Sequence, residues 1–137
     1  MAASGKIWDP LRRKMVSLTP EERVRQWFIS VLLETAKVPR HQMMSEVEMH
    51  FGSGDKLWRA DILVYGQGGA PLAVVECKRP EVALTPAVLE QALRYDLILD
   101  VRCIIITNGT STRVFVRSGE TWSGADHFLT YEELLNL

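Results

Sequence analysis

Only two cysteines, three histidines and no long apolar run occur in this 137-residue sequence, and each scarcity excludes something. Cys77 and Cys103 both lie inside apolar, strand-like patterns. A disulfide scaffold is therefore excluded, and buried free thiols in a reducing cytoplasm are expected. His41, His50 and His127 have no partner at zinc-ligand spacing, which argues against a zinc site. No stretch approaches the roughly 20 apolar residues of a membrane span, and the N-terminus lacks the apolar core of a signal peptide, so a cytoplasmic protein with no membrane association is expected. No G-x-x-x-x-G-K-[S/T] phosphate loop, internal repeat or low-complexity segment occurs. Charge of one sign is missing as well. The formal net charge is −1, so any nucleic-acid contact has to come from a local basic face.

What is present suits one globular domain. A 47% hydrophobic and 24% charged composition is ordinary for a folded chain, and one of this length buries about two-thirds of its unfolded surface. Residues 1–18 form a basic arm carrying Lys6, Arg12, Arg13 and Lys14, with Ile7, Trp8, Leu11 and Val16 available to pack. A partly ordered extension accounts for it, and contact with phosphates is the other reading. Residues 19–137 read as the single domain.

The most informative stretch runs from Trp58 to Arg79, as two strands joined by the turn GQGGAP. In the first strand, Leu57 to Tyr65, residues Arg59, Asp61, Leu63 and Tyr65 alternate with Ala60, Ile62 and Val64. In the second, Leu72 to Lys78, residues Leu72, Val74, Glu76 and Lys78 alternate with Ala73, Val75 and Cys77. A hairpin symmetric about Gly68 and Gly69 sets Asp61 opposite Glu76 and Arg59 opposite Lys78. Opposed like charges about 5 Å apart destabilise a strand pair, and folding alone does not explain two of them in apolar strands. A hard divalent cation would bind both carboxylates. Lys78 brings a positive charge to the same face, and two acids with a lysine form a metal-assisted hydrolysis site.

The rest of the chain supplies the frame. Thr19-Pro20-Glu21-Glu22 starts a helix, with Thr19 capping, Pro20 at the first position and Glu22 closing a capping box. It runs to about Lys37, buries Val24, Trp27, Phe28, Val31 and Thr35, and is ended by Val38-Pro39. Met44 to Phe51 alternates as a strand, with Val47, Met49 and Phe51 inward and Glu46, Glu48 and His50 outward, and Gly52-Ser53-Gly54-Asp55 turns it into the Asp61 strand. Thr85-Pro86 starts a second helix, reaching about Leu99 on Val88, Leu89, Ala92, Leu93 and Leu97, and it places Gln91 and Tyr95 on one face. Cys103 to Thr107 is a strand buried on both faces and parallel to the Glu76 strand, because a helix connects the two. Asn108-Gly109 turns into a strand over Thr112 to Arg117, and a short helix with a Thr130/Glu133 capping box closes the chain.

The spacing of Asp61 and Glu76-Cys77-Lys78, the chain's one acid-x-lysine triplet, resembles the PD-(D/E)XK nuclease superfamily. Gln91 and Tyr95 match the Q-x-x-x-Y signature that follows this triplet in one branch. The wider run from TPEERVRQWF through RADILVYG and LAVVECKRPE to ITNGT is similar to the N-terminal nuclease domain of type I restriction enzyme R subunits, over roughly residues 19–117. The resemblance implies an α/β fold, a restriction-endonuclease-like αβββαββ core whose central mixed sheet is flanked by helices. It implies a Mg²⁺-dependent DNA nuclease, with Mn²⁺ as substitute and endonuclease action ahead of exonuclease. Asp61, Glu76 and the Cys77 carbonyl would ligate the metal, Lys78 would serve the chemistry, and Gln91 and Tyr95 would position the site. Arg79 and Arg94 would contact phosphates. Glu22 and Glu46 match acids found near the metal in relatives, although capping alone accounts for Glu22 and comes first, and a solvated strand face accounts for Glu46 at least as well. R subunits are motors, and this sequence has no motor, so a separately encoded motor or specificity subunit is an expected partner. Oligomeric state stays open, a homodimer included. The rival is a catalytically silent DNA- or protein-binding module on the same fold.

Overall fold

The computed structural model describes residues 5–51, 56–97 and 99–137. The turn expected at residues 52–55 lies outside the described residues, as do the side chains of His50, Phe51 and Leu97. Two short strands, β1 (Lys6–Asp9) and β2 (Lys14–Ser17), pair antiparallel as a hairpin where the sequence suggested an arm. The helix α1 (Pro20–Glu34) follows, then β3 (Met43–Phe51), β4 (Lys56–Tyr65) and β5 (Pro71–Cys77). Next come α2 (Pro86–Leu93), β6 (Cys103–Thr107), β7 (Thr112–Ser118), β8 (Thr121–Gly124) and α3 (Tyr131–Leu135). From α1 onward this is the expected αβββαββ order, with β8 and α3 appended.

Strands β3 to β8 form one six-stranded sheet in sequence order. It is mixed because β5 and β6 run parallel, joined through α2, while every other neighbouring pair is antiparallel. One apolar layer, with Val24, Phe28, Ile29 and Leu32 of α1 and Leu134 of α3, covers Ile62, Val64, Val75, Cys77 and Ile105. The other, with Ala92 and Tyr95, covers Leu63, Val74, Ile104 and Ile106. β6 is buried along its whole length, as its uninterrupted apolar run requires.

The β4–β5 turn folds as its glycines predict, with Gly68 and Gly69 at φ of 72° and 79°, a region glycine enters without steric cost. The register beyond it pairs Val64 with Ala73, Leu63 with Val74 and Ile62 with Val75, and Asp61 and Glu76 come next along the two strands.

Three local expectations need correcting. Trp27 and Thr35 are exposed, and Ile29 and Leu32 take the buried positions on α1. The stripe is rotated because charged and amide side chains, Glu22, Arg25 and Gln26, share the buried face. Helix α2 stops at Leu93 and tightens into a 3-10 turn over Arg94–Leu97. The Glu22 carboxylate closes no capping box. Its backbone N–H does donate to Thr19 Oγ1 at 3.0 Å, but the side chain turns to arginines instead. Thr130 and Glu133 do form the expected box.

Candidate active site

The site lies where β4 and β5 part. Their ladder ends at Ile62–Val75. Beyond it the Cys77 N–H donates to the Asp61 carboxylate, at 2.7 Å from Oδ2. A side chain thus takes over where a backbone acceptor would have continued the sheet, which meets the accounting that buried N–H groups demand.

The strict alternation read for β4 breaks at this point. Ile62 and Val64 pack with α1, yet Ala60 packs with α2 and Tyr95. On β3, Met43 joins the α1 layer while Val47 and Met49 join the other. The slip falls at Glu46 and Asp61, which are absent from the β3–β4 register between Ser45–Ile62 and Val47–Ala60. Glu46 has a φ of 54°, a left-handed conformation unusual for a residue with a side chain and a recurrent feature of functional sites. The consequence is chemical. Asp61 and Glu76 come from opposed positions but turn to different partners, Asp61 to α1 and Glu76 to α2.

On the α1 side Asp61 meets a dense ion network. Arg25, 4% exposed, donates to Asp61 Oδ1 at 2.6 Å and also bonds Glu22. It lies 3.0 Å from Glu46 and 3.7 Å from Glu21. Arg12, from the tip of the N-terminal hairpin, reaches Glu22 at 2.8 Å and bonds Asp9, which is fully buried and also accepts from Ser45. Arg59 donates to Glu46 at 2.9 Å. Burial opposes charge on Asp9 and on Glu46, but their arginine partners hold both carboxyls below the usual range.

On the α2 side Glu76 sits in a cleft of about 170 Å³ lined by Trp58, Arg59, Lys78, Gln91 and Tyr95 among others. Lys78 Nζ lies 3.1 Å from Glu76 Oε2. The Tyr95 hydroxyl lies 2.7 Å from Glu76 Oε1 and 2.9 Å from the Arg59 carbonyl, and its ring meets Trp58 edge-on at 5.7 Å. One hydroxyl carries one proton for these two acceptors. Burial, then the Asp61 charge, push the Glu76 carboxyl above the usual range. Gln91 is exposed at the cleft, four residues before the buried Tyr95. Arg79 and Arg94 are exposed. The structure thus brings Glu76, Lys78, Gln91 and Tyr95 to one cleft, and it gathers Asp61, Glu22 and Glu46 around Arg25. Sequence reasoning missed Arg25, Arg12 and Asp9. The signal available was an arginine one turn after Glu22, on a helix face otherwise buried.

Among the described residues no three or more His, Cys, Asp or Glu side chains form a preformed metal cage. The donor set nevertheless fits a hard cation. Two carboxylates and a strand-end carbonyl are oxygen ligands of the kind Mg²⁺ accepts while keeping several waters. The Glu76 carboxyl, raised by burial and the Asp61 charge and sharing one hydroxyl proton with the Arg59 carbonyl, is a group that a cation would satisfy.

Fold and family match together define a restriction-endonuclease-like nuclease domain. Residues 20–126 match the family described as the type I restriction enzyme R protein N terminus, and the chain belongs to that family. Its fold is similar to a fragment assigned to the HsdR subunit of a type I restriction enzyme from Vibrio vulnificus YJ016, with a TM-score of 0.65 and 22% identity over 87% of this chain. The chain spans 25% of that fragment's length. It is also similar to a protein assigned as a nuclease of the DUF820 group from Anabaena variabilis ATCC 29413, with a TM-score of 0.50 and 16% identity, covering 90% of this chain and 86% of that one. No curated protein matches the chain significantly. No helix among the described residues is long and apolar enough to cross a membrane.

Proposed function

We propose that the chain is a Mg²⁺-dependent nuclease that hydrolyses DNA phosphodiester bonds, acting as an endonuclease in the cytoplasm. The observation that carries this is the convergence of Glu76, Lys78, Gln91 and Tyr95 on one cleft beside Asp61, at the point where two strands part. Asp61, Glu76 and the Cys77 carbonyl would hold the metal, with Mn²⁺ as substitute. When bound, such an ion polarises the scissile phosphate and supplies a nucleophile at neutral pH.

The chain's own residues do the remaining work. Lys78 is half-buried beside Glu76, so its ammonium is preorganised to meet charge developing on the phosphate or to orient the attacking water. Tyr95 positions the Glu76 carboxylate when its one hydroxyl proton is donated there rather than to the Arg59 carbonyl. Gln91 presents its amide at the mouth of the same cleft and steadies a phosphate oxygen. Arg79 and Arg94 form no ion pair among the described residues, which leaves their charges for the DNA backbone. Other subunits of a restriction system are the expected partners, by analogy with the much longer HsdR fragment.

The test is plasmid cleavage, with linear and single-stranded DNA alongside, with and without Mg²⁺, on wild type and Lys78→Ala. Lys78 cannot ligate a cation while protonated. The variant should keep Mg²⁺ affinity within a few-fold and lose cleavage by a factor on the order of 10² to 10³, and Lys78→Arg should not restore it, because a planar fork places the charge differently. Wild-type cleavage by Lys78→Ala would assign the activity to another site. DNA binding with no cleavage by wild type would make the chain a silent binding module.

A further inference from the structure

The function proposed above leaves Arg25 without a task, and its surroundings are not those of a residue kept for folding. Its guanidinium is buried and bonded to Glu22 and Asp61, and Glu46 and Glu21 lie close by. Yet its Nε, equally buried, has no hydrogen-bond partner among the described residues. A buried N–H left unmet costs stability, and buried ion networks are often no better for stability than apolar packing of the same volume. In this network five carboxylates, Asp9, Glu21, Glu22, Glu46 and Asp61, meet three arginines, Arg12, Arg25 and Arg59. Two negative charges remain over, which one divalent cation would balance.

We propose that Arg25 is the resident counter-ion of the candidate metal site, holding the Asp61 carboxylate in place until a divalent cation arrives and setting by its own charge how tightly that cation is held. The inference rests on the nuclease reading. Arg25 takes Asp61 Oδ1 and the Cys77 N–H takes Oδ2, so the carboxylate is fixed through one lone pair on each oxygen and the others stay free. The same fixed positive charge then repels any cation that binds those free lone pairs. Over a few ångströms of protein interior that repulsion is strong enough to shift an affinity by orders of magnitude. Arg25 is thus a positioning residue that exchanges affinity for order: the empty site stays folded, and the loaded site holds its ion loosely enough to respond to the cation supply.

Calorimetric titration of Mg²⁺ into the full chain tests this, with thermal melts in EDTA and in Mg²⁺. Arg25→Gln should bind Mg²⁺ on the order of tenfold or more tighter than wild type, and Mg²⁺ should raise its melting temperature by more than it raises that of wild type. Arg25→Lys, which keeps the charge but not the fork, should stay within about threefold of wild type. Arg12→Gln removes a more exposed charge from Glu22 and should tighten binding by a smaller factor, which decides the matter if Arg25→Gln does not fold in EDTA. Unchanged or weaker Mg²⁺ binding in the folded variant, or Arg25→Lys behaving like Arg25→Gln, overturns the proposal while wild-type binding and cleavage leave the nuclease reading intact. Absence of any divalent-cation binding by wild type overturns both.

Discussion

The two faces of the central sheet treat their carboxylates in opposite ways where β4 and β5 part. Toward α1, acids are matched by arginines: Asp9 and Glu46 are held below the usual carboxylate range although burial opposes it. Toward α2, Glu76 has Lys78 and Tyr95 for company, and burial with the nearby Asp61 charge raises it above that range. Asp61 belongs to both faces, bonded to Arg25 yet felt by Glu76. The difference separates two tasks. The α1 side is held in place in advance by its arginines and can serve as the fixed wall of a site. On the α2 side burial and the Asp61 charge disfavour the charged form of Glu76 despite Lys78, and a proton or a cation relieves them.

The largest effect that would break or sharpen this contrast comes from removing each acid in turn. Asp61→Ala and Glu76→Ala should both abolish Mg²⁺ binding and cleavage, but they should differ in stability. Without Asp61, Arg25 and the Cys77 N–H lose an acceptor inside the protein, which should cost on the order of 2–3 kcal/mol. Without Glu76, a half-buried carboxyl with a raised affinity for protons disappears, and the shape-preserving Glu76→Gln should melt at or above wild type in EDTA. Thermal melts of wild type and the three variants side by side decide it. Equal losses for the two positions would mean that the faces are not distinct.

A smaller effect is read from pH. Asp9 has its folded pKa below its ordinary value, so its contribution is present above about pH 3.8 and is lost as pH falls through the lowered value. In EDTA the gap between wild type and Asp9→Asn should hold steady above that pH and close below it. Glu76 runs the other way. Its folded pKa lies above 4.5, so its contribution is complete below that pH and is lost as pH rises through the raised value. Glu76→Gln should therefore gain on wild type as pH climbs from 4.5. Melting temperatures from pH 2 to 8 would show two differences with opposite trends, and parallel trends would overturn the contrast.

These opposite faces were only half legible in the sequence. The hairpin, its register and the parallel β5–β6 pair follow from glycine placement, alternation and the helix between them, all of which are local or period-based signals. The strand period puts Glu76 and Lys78 on one face and the helix period does the same for Gln91 and Tyr95, but only the resemblance to the nuclease signature joined the two pairs. The α1 side was hidden for two physical reasons. Its charges come from three distant pieces, the hairpin tip at Asp9 and Arg12, the helix at Glu22 and Arg25, and the strand at Glu46, and no period links them. Alternation also fails at Glu46 and Asp61, where a left-handed residue changes which side chains face the core. A reading that keeps the period sends Asp61 to the same face as Glu76, as an opposed pair in need of a cation, and it overlooks the arginine that already answers Asp61. The same rule that buries apolar residues misplaced Trp27 in the core, because the buried positions beside it belong to Glu22, Arg25 and Gln26.

The smallest effect concerns Cys77, which sits between the two acids of the site and whose side chain nonetheless should take no part. It is 1% exposed in the apolar layer beneath α1. Burial, and then Asp61, push its thiol well above the usual range, so at neutral pH it carries its proton and is no thiolate ligand. What it offers the site is backbone: an N–H to Asp61 and the carbonyl proposed to face the metal. Cys77→Ala keeps both. It should therefore lose only packing, on the order of 1 kcal/mol, while Mg²⁺ affinity and cleavage stay within a few-fold of wild type. The decisive comparison is the rate of plasmid cleavage at saturating Mg²⁺ on protein whose melting curve shows it folded. A loss of tenfold or more there would put the sulfur among the reacting groups. It would also reopen the division between faces, since a side chain from the α1 layer would then be acting in the α2 cleft.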